Sequence, residues 1–283
     1  MELRPLPATN DFVFKKIFSG NPAVLKDFLK IVLDLPVEEY KGLEVIDPNL
    51  DREFIEDKLG VLDVKATTVF GKVLNIEIQI KPQRSIWKRM LFYTSKMVVE
   101  QVKSGFQYDR INRVISILIA DFVMVKENDA CHHRFRLYDE NKKVHFPDSI
   151  EINVLELPKM QEADGTPLGN WLRFFSAKTE EEFMVVAQTN PAIEEAWGVI
   201  KVLSGDEQAR ALAEAREKAR MDMDSWLDDA RHEGREEGRQ EGREEGIYSV
   251  AKNALRKKMD HEAIVELTGL SLEEVKKLAA DLS

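Results

Sequence analysis

The chain has 283 residues, a formal net charge of −10 and one cysteine, Cys131, with 43% hydrophobic residues. One cysteine excludes an intramolecular disulfide framework and any Cys-rich zinc module. No stretch approaches the roughly 18 uninterrupted apolar residues of a membrane span, and the Met-Glu-Leu-Arg-Pro start lacks a secretory apolar region. The expectation is a cytoplasmic protein with no membrane partner and a packed core in one large domain or two smaller ones.

In chain order, Asn10 to Leu35 reads as one or two helices. Asn10 is a candidate N-cap, and Asn21-Pro22 marks a break with Pro22 in the first turn of the second helix. Leu59 to Thr68 and Val73 to Ile80 read as strands joined by a tight turn at Gly71-Lys72, because Ile76, Ile78 and Ile80 alternate with Glu77 and Gln79. Ile86 to Gly105 has helical periodicity, with Gly105 placed as a C-cap. Val114 to Phe122 is a nearly continuous apolar run of the kind found in buried strands. His133 to Tyr138 and Ile150 to Leu157 are further strands. The order predicts an α/β fold in which helices flank a mixed sheet.

After Pro158 the pattern is helical. Leu168 to Leu203 reads as helix interrupted near Asn190-Pro191, and Ala209 to Ala219 is rich in strong helix formers. Trp171, Trp197 and Trp226 lie in these patterns and read as packing residues. From His232 to Gly246, glycines recur every four residues at Gly234, Gly238, Gly242 and Gly246. The segment reads either as a helical arm steadied by i,i+4 Glu/Arg pairs and self-association, or as a charged linker. Residues 247–283 regain apolar periodicity and form a small helical unit, with Ser271 and Glu274 as a capping box. The unit is similar to a helix-turn-helix, but its balanced charge favours packing or dimerisation over DNA reading.

Charge is unevenly distributed. Residues 1–120 carry a net +2, and Lys81 to Arg113 alone carries +6, from eight basic residues against Glu100 and Asp109. Screening over about 8 Å makes such a patch act independently of the chain's net charge. Cys131-His132-His133 invites a zinc reading, but three adjacent residues do not ligate one ion comfortably and no companion cluster exists.

The chemistry concentrates in the predicted hairpin. Glu77 and Gln79 are two apart on a strand and share a face. The hairpin can bring Asp63 towards Glu77, and two converging carboxylates repel unless one is protonated or a hard divalent cation joins them. Mg2+, with Mn2+ as its substitute, fits an all-oxygen set of this kind.

Asp63, Glu77-Ile-Gln79 and the N-terminal Asn10-Asp11-Phe12-Val-Phe14-Lys15 resemble the PD-(D/E)XK nuclease superfamily. Within it, the chain resembles the Rpn group of recombination-promoting nucleases and transposases. Lys58 ahead of Leu62-Asp63-Val64, Arg89 with Tyr93, Gly105 with Tyr108, the strand ending at Asp121 and the Glu-Gly-Arg repeat also fit that group. The resemblance covers residues 6–160 closely and implies a restriction-endonuclease-like core. It makes Asp63 and Glu77 metal ligands, puts Gln79 in the place of the usual lysine, and matches Asp11 to an acidic residue of the first helix. Lys65, or else Lys58, would supply the positive charge that Gln79 lacks. Lys58, Lys88, Arg89, Tyr93 and Lys96 would contact DNA.

The implied organisation is a nuclease-like core at 1–160, a helical extension at 161–230, the repeat arm or linker at 231–246 and the helical unit at 247–283. The implied function is metal-dependent DNA endonuclease activity in recombination or mobile-element movement. A non-catalytic DNA-binding protein and an oligomeric assembly protein, both keeping the fold, are the alternatives. The arm would serve homo-oligomerisation.

Overall fold

Local capping rules account for the first helices. In a computed structural model, which describes residues 4–46, 64–102, 107–146 and 150–282, Asn10 accepts from the Phe12 and Val13 amides to cap α1, Asp11–Ser19. Asn21 caps α2, Pro22–Val32, in the same way, and Pro22 occupies the first turn, where no amide is needed. The predicted pair of helices and the break between them are both present.

The strands follow as β1 (Glu44–Ile46), β2 (Val64–Thr67) and β3 (Val73–Gln79), and then α3 (Ile86–Val99) and β4 (Val114–Ala120). β5 (His132–Arg136), β6 (Tyr138–Asp139), β7 (Val144–His145) and β8 (Ile150–Glu156) follow. The β2–β3 turn is made by Gly71 at φ +83°, in the left-handed region. Among the described residues the main sheet has six strands in the order β1-β2-β3-β4-β8-β5. β3, β4 and β8 are parallel, while β1, β2 and β5 join antiparallel. This is the expected mixed sheet flanked by helices.

Every residue of β4 is buried, because both sheet faces are covered. On one face Leu74, Ile76, Ile78, Ile115, Ile117, Ile119 and Leu155 enter a core shared with α1 and α2. α4 (Pro167–Ser176), α5 (Glu180–Ala187) and α6 (Pro191–Gly205) pack into that same core. Trp171 is fully buried there against Phe18, Phe28, Phe174 and Phe175, and Trp197 stacks on Phe183, so both are packing residues as predicted. Gly169 lets α4 press on the turn at 157–163, since a Cβ there would lie 2.1 Å from the Ala163 carbonyl oxygen. On the other face α3 packs through Ile86 and Met90 onto Leu118, Ala120 and Val154.

Several expectations are corrected. α3 ends at Val99 rather than continuing, and the Gly105 cap lies outside the described residues, as do Lys58 and Asp63. The run 133–138 divides, because β5 joins the main sheet while β6 pairs with β7 in a separate ribbon. The helical stretch after Leu168 has a second break at 177–179, where Thr179 and Glu182 form a capping box. Trp226 is 65% exposed rather than packed, and Met221 and Met223 on the same stretch of helix are exposed too.

The chain divides into two compact units, Met1–Glu217 and Lys218–Ser283. α7 (Glu207–Arg256) is helical through all four repeat glycines, with nothing within 4 Å of where their Cβ atoms would stand. In the second unit Ala251 and Ala254 of α7 pack with Ile264 of α8 (His261–Thr268) and Val275 of α9 (Leu272–Asp281). Ser271 and Glu274 make the predicted capping box at the start of α9.

Candidate active site

Strand parity builds the site. Leu74, Ile76 and Ile78 of β3 point into the large core, so Val73, Asn75, Glu77 and Gln79 take the opposite face, under α3. Lys65 is the cross-strand partner of Asn75, and Ser116 is its neighbour on β4. Lys65, Asn75, Glu77 and Gln79 therefore occupy one face of two adjoining strands.

α3 lays one flank along this row. Arg89, Tyr93, Lys96 and the capping residue Glu100 recur at helical spacing on that flank. The Arg89 guanidinium donates to Glu77, which is only 6% exposed. Gln79 Nε2 donates to Glu77 Oε1 at 3.0 Å, and Arg89 Nη1 reaches Gln83 Oε1 at 3.3 Å. Farther along, Lys65 Nζ meets Glu100 Oε2 at 3.2 Å. A buried carboxylate is stable only when paired and hydrogen-bonded. Arg89 and Gln79 meet that requirement at Glu77, so the guanidinium expected on DNA rests on the site carboxylate.

Asn75 is 3% exposed, and its Oδ1 has no hydrogen-bond partner. Its neighbours are engaged elsewhere. Ser116 Oγ lies 2.7 Å from Thr94 Oγ1, and Thr94 in turn donates to the Met90 carbonyl at 2.6 Å.

The donors on this face are carboxylate and amide oxygens, the chemistry of a hard cation such as Mg2+. Among the described residues no group of three or more His, Cys, Asp or Glu side chains is placed to hold a metal. Asp63 and Lys58 fall outside those residues. Asp11 lies at the start of α1, where its charge suits the helix dipole, and pairs with Arg216 at 2.7 Å rather than with Glu77. Lys88 is exposed on α3, while Tyr93 and Lys96 are half-buried beside Arg89 on the flank over the site.

Two further polar clusters lie elsewhere on the sheet. Glu151, on the face opposite α3, gathers Arg113, Arg136 at 2.6 Å and Asn153 at 2.8 Å. Glu156 accepts from the Met124 and Val125 amides and pairs with Lys159 at 2.7 Å and His133 at 3.3 Å. His132 bonds Asn153 instead, so His132 and His133 face opposite sides and the run from Cys131 does not converge on one ion. Burial pushes the Cys131 thiol up to about 12, which keeps it protonated.

Sequence reading missed Asn75, Glu100, Glu151 and Glu156. Asn75 carried the one available signal, its parity with Glu77. The others acquire partners only through packing.

A family model described as PD-(D/E)XK nuclease family transposase matches residues 8–230. No curated protein and no solved structure matches the chain. No helix among the described residues is long and apolar enough to cross a membrane.

Proposed function

The chain belongs to the PD-(D/E)XK nuclease family transposases, and from that premise we propose that it is a Mg2+-dependent DNA endonuclease serving recombination or mobile-element movement. The observation that carries this reading is the buried Glu77 with Gln79 and Lys65 on one sheet face beneath α3. In the proposal Glu77 and Asp63 hold the cation, with Mn2+ as a substitute. When bound, that cation supplies Lewis-acid stabilisation of the phosphate charge and a lowered pKa for water. Gln79 orients the attacking water through its amide, which can both donate and accept. Lys65 leaves Glu100 to supply the charge that a lysine at 79 would have carried, while Asp11, on α1 and paired with Arg216, stays outside this group. Arg89, Tyr93 and Lys96, with Lys88 and Lys58, hold the DNA backbone, and backbone contacts position without reading sequence.

Plasmid DNA is expected to be cut with Mg2+ or Mn2+ and to stay intact with a chelator. DNA retention in a gel shift, with no cutting across a divalent-metal series, would instead establish the second reading, a binding protein that keeps the fold. Gln79 in place of lysine and the Arg89 guanidinium on Glu77 are the observations that favour it.

The repeat of α7 is proposed as a homo-oligomer contact. Arg235, Arg239 and Arg243 flank the glycine stripe on one side, and Glu233, Glu237, Glu241 and Glu245 flank it on the other. Parallel packing of two copies sets opposite charges together across the stripe. Light scattering is expected to show a smaller assembly after truncation at Arg231. An unchanged assembly would remove the arm from this role.

A further inference from the structure

Among the described residues of β3, the Asn75 carbonyl is a buried acceptor that the surrounding packing leaves without a hydrogen-bond partner. Buried acceptors are nearly always satisfied, and one that is not calls for a ligand or a reason. Asn75 is 3% exposed and sits centrally in β3, between Lys65 on β2 and Ser116 on β4. Either neighbour could donate to Oδ1, yet Lys65 is turned to Glu100 and Ser116 is bonded to Thr94. The carbonyl thus sits on the sheet face that carries Glu77, two residues away on the same strand.

We propose that Asn75 Oδ1 is a further oxygen donor to the divalent cation that Glu77 holds, and that Arg89 is the internal positive charge on Glu77 when no cation is bound. The inference rests on the metal-dependent reading above and adds a ligand to it. Side chains two apart on one strand face can converge on one ion. A neutral amide oxygen adds a hard ligand without adding a second negative charge to repel Glu77. The Arg89 pair shows that the Glu77 carboxylate takes a positively charged partner on this face. A divalent ion and the guanidinium then compete for the same carboxylate.

The test measures Mn2+ binding to the full chain without DNA, by calorimetry and by the electron spin resonance of the ion, together with urea unfolding of the metal-free protein. Asn75→Leu is expected to bind Mn2+ about tenfold or more weakly. Its metal-free unfolding midpoint should equal or exceed that of the wild type, since the unmet carbonyl is gone. Asn75→Asp is expected to bind about tenfold more tightly, because a charged ligand replaces a neutral one, and to be less stable without metal. If Asn75→Leu does not fold, Asn75→Asp decides alone. Wild-type affinity in either folded variant overturns the proposal. Loss of binding in Glu77→Gln alongside unchanged Asn75 variants removes Asn75 and leaves the nuclease reading standing. A wild-type chain that binds no Mn2+ removes both.

Discussion

Glu77→Gln is expected to lower metal-dependent DNA cleavage by at least about a thousandfold. The substitution keeps the shape of the side chain and removes the charge that would hold the cation, and the transition-state stabilisation supplied by a metal is worth several kcal/mol. It also takes the carboxylate away from Arg89, and both side chains are largely buried, at 8% and 15% exposure. Breaking a buried ion pair from one side costs about 3–5 kcal/mol, so a loss of activity in the single variant could come from unfolding. The double variant Glu77→Gln/Arg89→Gln separates the two causes. Replacing both charges with amides should recover most of the unfolding midpoint in urea while leaving cleavage absent. Full cleavage by a folded Glu77→Gln protein would sink the assignment of this carboxylate to the site.

A second large effect is expected at Glu151, where stability rather than chemistry is at stake. Its carboxylate is 2% exposed and faces Arg113, Arg134 and Arg136. Burial pushes its pKa up, but the Asn153 amide, Arg113 and Arg136 outweigh burial, and the carboxyl is held below its ordinary value of 4.5. Glu156 is held down in the same sense, with Lys159 and two backbone amides outweighing its burial. A depressed carboxylate contributes stability that is fully present above the unfolded value and is lost as pH falls through the folded one. Acid destabilisation should therefore begin near pH 4.5 and deepen below it.

Glu151→Gln is expected to cost about 3–5 kcal/mol at about pH 7, because three guanidinium groups lose their shared counter-charge. It should also flatten the acid limb, so that urea midpoints of variant and wild type draw together between about pH 7 and about pH 3.5. A gap of constant size across that range would count against a titrating Glu151. The cluster lies on the sheet face away from Glu77, so the metal requirement for cleavage should not change.

Much of the local chemistry is legible in the order of residues. Asn10 and Asn21 cap helices because their side-chain oxygens reach amides two and three residues on, and nothing distant is needed. Glu77 and Gln79 share a face because the pleat repeats every two residues, and Ile76 and Ile78 commit the other face to the core. The net charge of −10 likewise resolves by counting alone into a basic stretch from Lys81 to Arg113 within an acidic chain. Weaker cues, such as Thr179 with Glu182, break a helix that apolar periodicity alone would carry straight through. The three-residue β1 is too short to show any alternation at all.

Partners that meet across the fold lie beyond local reading. Glu77 meets Arg89 from α3, Lys65 meets Glu100, and Asp11 meets Arg216, some 205 positions away. The first two pairings depend on which flank of α3 lies over β2 and β3, and that is set by the burial of Ile86, Met90 and Met97 rather than by the charged residues themselves. Sequence alone determined which side chains could do chemistry and which face of β3 they share. The tertiary packing decided which of them are neutralised, and that Asn75 is buried among them without a partner for its carbonyl, because charge and hydrogen-bond satisfaction depend on the neighbours that folding brings within reach.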